Sequence, residues 1–295
     1  MPAVNLAKTV LILLTGIIAV SLASIFTKYC DDVPAVVIAA YRVGTASCIL
    51  ILIAAIRGVG LQKISRTDLK LAVLGGFFLS LHFLTWFTSL KYTTVTTSVV
   101  LVTTNPIFVS LFSFLLFREK LVTEVLLGII MTFAGSVILA LTGGQLAFAG
   151  GHVFLGNILA LCGAVMASCY LMVGSNLRER MDILAYTTIV YSSTAVFLLF
   201  YCLISGAGFT GYRPSSYVFM LLMALIPQLL GHSAFNWALR HLKASMVALT
   251  ILGEPVLASI FAHFLFRDQI NSIQMTGIIL IFAGIIIAAR KGAKK

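Results

Sequence analysis

The sequence predicts an all-α integral membrane protein, with ten transmembrane helices arranged as two inverted five-helix repeats. Three observations lead there. The 295-residue chain is 60% hydrophobic and only 10% charged, whereas soluble domains carry roughly 25% charged residues. Apolar runs of about 20 residues, the length that crosses about 30 Å of hydrocarbon, recur from end to end. The second part of the chain repeats the first at a fixed offset of 149 residues. Only helices and closed barrels satisfy their backbone polar groups in lipid. The short alternating segments of a barrel are absent, so the runs are read as helices.

The expected spans, in order, are 8–28, 34–56, 70–90, 94–117, 121–141, 153–174, 183–204, 216–239, 245–266 and 272–290. Lys8 precedes the first. No small-residue cleavage site follows it and more spans do, so this run reads as a helix and not as a removed signal peptide. Asp31, Asp32 and Pro34 separate the first two spans. Residues 57–70 form a polar loop, paired glycines at 143–144 and 150–151 mark the middle, and 206–214 separate spans 7 and 8. With both termini placed in the cytoplasm, inside segments carry fifteen Lys/Arg and outside segments four. That bias sets the expected orientation.

The repeat holds its register without a gap over two long stretches. Pro106 meets Pro255, Leu116-Phe117-Arg118 meets Leu265-Phe266-Arg267, and Phe133-Ala134-Gly135 meets Phe282-Ala283-Gly284. Each half has five spans. An odd number makes the second half enter from the opposite side, a plan common among secondary transporters. The expected halves are 1–142 and 153–295. Gly128 and Gly135, with their mates Gly277 and Gly284, lie seven apart on one helix face, and close helix contact is expected there.

Several function classes are set aside. The net charge of +11 resides in loops and at the C-terminus, not on a soluble face, so no nucleic-acid partner is expected. Cys30, Cys48, Cys162, Cys169 and Cys202 show neither metal spacing nor a disulfide framework and read as small packing residues. No metal site, cofactor or nucleotide-binding P-loop is expected. Enzyme chemistry is not expected either, since no paired carboxylates or nucleophile–base pair appear.

The polar residues at mid-span carry the chemistry. Eight of nine acidic residues lie in loops or at span ends; Glu254 sits within span 9. A charge at that depth costs about 2.5–3.5 kcal/mol on insertion scales and marks a wet cavity or a partner. Glu254 is the candidate for proton coupling, or for binding a substrate amine; a packing role is the alternative. Its repeat mate Asn105 is polar but does not titrate. Arg42, the one basic residue at mid-span, offers a planar fork to a carboxylate, or a partner to Glu254 or to backbone carbonyls. Gln228, His232 and Asn236 stand four apart on one face of span 8 and are expected to line water or a neighbouring helix. His82 and Trp86 share a face of span 3, and Trp86 with its mate Phe235 forms candidate aromatic walls. Pro106 and Pro255 each remove a backbone hydrogen bond at matching places and are hinge candidates, as Pro227 is for a bend in span 8.

Taken together, Ala39-Ala40-Tyr41-Arg42, Asn105-Pro106, Glu254-Pro255-Val256 and the span ends Phe117-Arg118-Glu119 and Phe266-Arg267-Asp268 resemble the EamA-type branch of the drug/metabolite transporter superfamily, over nearly the whole chain. The resemblance implies a central cavity between the halves and alternating access. Similar transporters move amino acids, other metabolites and drugs, often outward; the repeat, Glu254 and the polar faces point to an exporter with the proton gradient as driving force. A passive facilitator with a structural Glu254 is the alternative. The expected setting is the lipid bilayer of the bacterial inner membrane, as monomer or homodimer.

Overall fold

The computed structural model describes residues 6–60, 64–93, 95–118, 123–142, 151–266 and 272–292. Every regular element among them is helical. The chain order is α1 (Leu6–Lys28), α2 (Ala35–Ile56), α3 (Arg66–Ser89), α4 (Val95–Val102), α5 (Asn105–Phe117), α6 (Thr123–Thr142), α7 (Gly151–Leu177), α8 (Ile183–Ser205) and α9 (Pro214–Met223). A π-helical segment (Ala224–His232), α10 (Ser233–Ala238), α11 (Ala244–Ile251), α12 (Glu254–Phe266) and α13 (Ser272–Gly292) complete it.

Seven helical runs among the described residues are long and apolar enough to cross a membrane. Three further apolar helical stretches are Thr123–Gly135 in α6, Ala244–Ala258 across α11 and α12, and Met275–Ile287 in α13. They coincide with the expected spans 121–141, 245–266 and 272–290. Of the glycines at the chain centre, Gly143, Gly144 and Gly150 lie outside the described residues, as do Lys63, Lys120, Glu119, Arg267, Asp268, Lys294 and Lys295, while Gly151 begins α7.

Local signals explain the boundaries. Ser65 caps α3 by accepting from the Asp68 N–H at 3.1 Å, and Asp182 caps α8 by accepting from the Leu184 N–H at 2.8 Å. Gly206 ends α8 in the left-handed conformation, φ 66°, where a glycine meets no Cβ penalty. Pro214 sits in the first turn of α9, where its missing donor costs nothing.

Three expected spans differ from continuous α-helices. Spans 4 and 9 are each broken at the same place in the repeat, at Thr103-Thr104 and at Leu252-Gly253. Pro106 and Pro255 stand in the first turn of the helix that follows each break. A proline there has no ladder partner to lose, and the helix before it must stop. Span 8 contains the π-helical stretch around Pro227, where the missing N–H is absorbed by wider i→i+5 turns.

Packing pairs elements of the two halves. α1 lies on the π-helical segment as α3 lies on α7, α2 lies on α8, and α6 lies on α13. Glycines set the closest approach of the last pair. A Cβ on Gly135 would meet the Gly277 carbonyl at 2.5 Å, and one on Gly284 would meet the Gly128 carbonyl at 2.8 Å. The four glycines singled out by the repeat therefore face one another. Of the cysteines, Cys30 and Cys202 are buried, Cys169 is half-buried, and Cys48 and Cys162 are exposed. The last two do not pack in the core as expected.

The two ends of the bundle are tied differently. At one end Asp31 and Asp32, in the α1–α2 turn, hold Arg213 before α9. The Arg213 N–H donates to Asp32 at 2.8 Å, the Ser216 hydroxyl donates to it at 2.6 Å, and the Arg213 guanidinium pairs with both acids. The Ser216 hydroxyl, followed by the Arg213 N–H, holds the Asp32 carboxyl below its ordinary pKa. At the other end Asp68 of α3 pairs with Arg180 of the α7–α8 loop at 2.7 Å.

Candidate functional site: a cavity at two helix breaks

A cavity opens where the breaks of α4–α5 and α11–α12 meet α1, α2, α3, α7 and α10. It holds ≈ 610 Å³ of atom-free space, counting the part open to solvent. Repeat mates line it in pairs: Asn105 with Glu254, Val102 with Ile251, and Trp86 with Phe235. Arg42, His82 and His232 complete the polar wall, and Tyr170 adds a phenol. Six of the eight candidates thus converge on one space although up to 212 positions separate them, from Arg42 to Glu254. Gln228 and Asn236 do not line it.

Glu254 is the first residue of α12 and is 8% exposed. A carboxylate in the first turn of a helix is well placed electrostatically. Its backbone carbonyl accepts from Ser21 of α1 at 3.3 Å. In the matching position, the Asn105 carbonyl accepts from Ser168 of α7 at 3.0 Å. Serines on the two equivalent helices thus tie down both breaks.

Arg42 is 1% exposed. Its Nε donates to Gln228 Oε1 at 2.8 Å, and its guanidinium carbon lies 4.5 Å from the centre of the Phe83 ring. It forms no ion pair with Glu254, contrary to one expectation from the sequence. The Gln228 amide, presented by the π-helical segment, takes the fork instead. Arg42 Nη1 has no hydrogen-bond partner, nor do Gln228 Nε2, Trp86 Nε1 and Asn105 Oδ1. Buried polar atoms are seldom left unpaired.

The histidines differ. His82 Nδ1 stands 2.9 Å from the Gly163 carbonyl, so Nδ1 carries the proton, and the ring stacks on Trp86 at 5.9 Å and 14°. His232 ends the π-helical segment and meets the Phe83 ring edge-on at 5.4 Å.

The stripe expected on span 8 does not act as one wall. His232 reaches the cavity, Gln228 binds Arg42, and Asn236 joins three other helical or loop elements. Asn236 Oδ1 accepts from Tyr170 at 2.6 Å, its Nδ2 donates to Tyr191 at 3.2 Å, and its carbonyl accepts from Arg178 at 3.0 Å. Sequence reasoning passed over Tyr170. The signal was there: a tyrosine two residues from Ser168, opposite Ser21 in the repeat, in a largely apolar span.

A bundle of apolar helices with a polar cavity at paired helix breaks is the architecture of a membrane transporter. A family model described as the EamA-like transporter family matches residues 7–141 and again 154–290. The chain belongs to that family and is a multi-pass membrane protein. A relative from Archaeoglobus fulgidus is 26% identical over 79% of this chain and 80% of its own length. One from Clostridium kluyveri is 25% identical over 81% of this chain and 78% of its own length. YetK from Bacillus subtilis is 24% identical over 68% of this chain and 62% of its own length. All three are named uncharacterized transporters. A solved crystal structure superposes with a TM-score of 0.80 over 98% of both chains at 19% identity, a likeness of fold.

Proposed function

We propose that the protein is a secondary transporter that exports a small organic solute in exchange for protons by alternating access. The observation that carries this reading is Glu254, a titratable acid at a helix break. It faces a central cavity and has no ion-pair partner among the described residues. A carboxylate so placed binds a proton or a substrate ammonium, and one site holding either but not both is the minimal device for exchange.

The halves 1–142 and 153–295 are read as inverted five-span repeats in a ten-span bundle. The 149-residue register supports this, as do the matching breaks and the exchange-related packing of α1, α3, α7 and the π-helical segment. The excess of basic residues on one set of loops supports cytoplasmic termini and puts Asp68 inside and Asp32 outside. Among the described residues α11 packs broadly on α5, whereas α12 meets α4 only narrowly. The α5 and α11 halves lie toward the Asp68 end, which, with cytoplasmic termini, supports reading this state as closed inside and open outside. The bacterial inner membrane is the proposed setting.

The test is uptake of a solute panel into inside-out vesicles under an imposed pH gradient. Wild type is expected to accumulate one solute class, and Glu254→Gln to lose the gradient-driven part by about tenfold or more, as for a site that no longer exchanges its proton. Equal, gradient-independent flux in both proteins would instead identify a passive facilitator in which Glu254 is structural.

A further inference from the structure

The helices around the cavity fall into two groups. α3, α4, α5 and α7 pack on one another, and so do α1, the π-helical segment, α10 and α12. The serine ties at the two breaks stay within a group: Ser168 of α7 with Asn105 of α5, and Ser21 of α1 with Glu254 of α12. Asn236 of α10 is different, because two of its bonds run across to the other group. Its amide oxygen accepts from Tyr170 of α7, a residue of the cavity wall, and its backbone carbonyl accepts from Arg178, which directly follows α7.

This grip sits at the Asp68 end, since Arg178 belongs to the same α7–α8 loop as Arg180. Arg178 is buried, and its Nη1 donates to the Met181 carbonyl within that loop. The carbonyl it takes from the other group is one of the last four of α10, which the helix ladder does not serve, and a cation is favoured there.

A second acceptor stands nearby. The Tyr186 hydroxyl, one turn into α8, is buried and has no hydrogen-bond partner. It lies against the last turn of α7: a Cβ on Gly174 would meet it at 2.8 Å, and the Gly174 carbonyl accepts from the Arg178 N–H at 2.8 Å. The Arg178 charge is within electrostatic reach of it. The same Cβ would meet Leu239 of the α10–α11 turn at 2.8 Å, so α7, α8 and that turn converge on one glycine. A buried hydroxyl left unpaired calls for an explanation.

Resting on the transporter reading above, we infer that Arg178 is the latch of the Asp68 end: it holds the Asn236 carbonyl while that end is closed and passes to the Tyr186 hydroxyl when α10 and α7 separate there. Tyr170 and Asn236 position the closed form, and Tyr186 positions the open one. Because Tyr170 also lines the cavity, the latch is joined to the space where a solute binds.

The experiment measures the distance between spin labels at Arg66→Cys, at the start of α3, and Arg240→Cys, in the α10–α11 turn, by pulsed electron paramagnetic resonance. Both positions are exposed at the Asp68 end. The full chain is used in nanodiscs, in a background lacking the five native cysteines. Tyr170→Phe keeps the ring and is expected to raise the long-distance, open population about threefold or more, the effect of one lost hydrogen bond. Tyr186→Phe is expected to lower it by a similar factor, alone and in the Tyr170→Phe background, and to slow gradient-driven flux in vesicles about threefold. A merely structural role predicts otherwise, because deleting an unpartnered hydroxyl removes no bond of the closed form and would leave populations and flux where they were. The flux arm of Tyr186→Phe keeps the inference testable even if Tyr170→Phe does not fold. Unmoved distances and unchanged flux in Tyr186→Phe, or shifts of the same sign in both variants, overturn the latch and, where gradient-driven flux persists, leave the transporter reading standing. Distances that shift as expected in a protein that moves no solute keep the latch and overturn the transporter reading.

Discussion

The two broken helices look alike in sequence and differ in structure. Both stop three residues before a polar residue followed by proline, and in both a serine from a facing helix binds the carbonyl of that polar residue. Yet Val109 of α5 is fully buried, while its repeat mate Ala258 of α12 is half-exposed. The first half carries Asn105 at the break and the second carries Glu254. Repetition thus builds a cavity with a near-symmetric frame, and single-residue differences give it direction and charge. The contrast in burial distinguishes α5 from α12; the contrast in side chain puts a titratable group at the second break only.

The largest effect should follow from moving the charge. The exchange Asn105→Glu with Glu254→Asn keeps both groups in the cavity but swaps their helices. Gradient-driven flux in vesicles is expected to fall by about tenfold or more, because the proton-binding acid no longer sits at the α12 break. Retained flux would mean that the cavity needs an acid but not on α12.

Next comes the contact of α6 with α13, where the halves are most alike. Gly135→Ala and Gly284→Ala each place a methyl within 3 Å of a facing carbonyl and should each cost about 1–3 kcal/mol. Gly44→Ala, with nothing within 4 Å, is the control and should leave the melting temperature unchanged or raise it. Equal, small effects at all three would show that the glycine contact is not tight.

The smallest effect belongs to the bundle ends. Asp32 is held below its ordinary pKa by Ser216 and Arg213, so its contribution is complete at neutral pH and fades as pH falls through the depressed value. Asp32→Asn should lower the melting temperature slightly at pH 7, and the difference from wild type should close in acid. Asp68→Asn, which removes the surface pair with Arg180, should cost no more than about 1 kcal/mol. A large loss at Asp68 would make the two ends unequal in a way the geometry does not suggest.

Much of this was legible beforehand. Span positions followed from the length of apolar runs, and the 149-residue register located the breaks through Pro106 and Pro255. Glu254, Arg42, Trp86 and both histidines could be picked out because polar side chains at mid-span have few tolerable places. Helix continuity was harder. A proline tells that a ladder bond is missing, but not whether the helix kinks, stops or widens, and the three prolines found two different answers. Pairing was harder still. Arg42 met Gln228 and not Glu254, and no short-range pattern announced the π-helical segment that carries Gln228. Asn236 likewise turned out to be a structural junction joined to Tyr170 and Tyr191.

The most direct test of the account compares the repeat mates Val109 and Ala258. Each is changed to cysteine in a background lacking the five native cysteines, and its rate of labelling by a membrane-impermeant maleimide added from outside is measured in right-side-out vesicles. Ala258→Cys is expected to react about tenfold faster or more, as for a site in an open rather than a packed region, and to slow when the pH gradient is reversed in the presence of a transported solute. Equal rates at the two positions, or rates that ignore both gradient and solute, would contradict a cavity that opens alternately around Glu254.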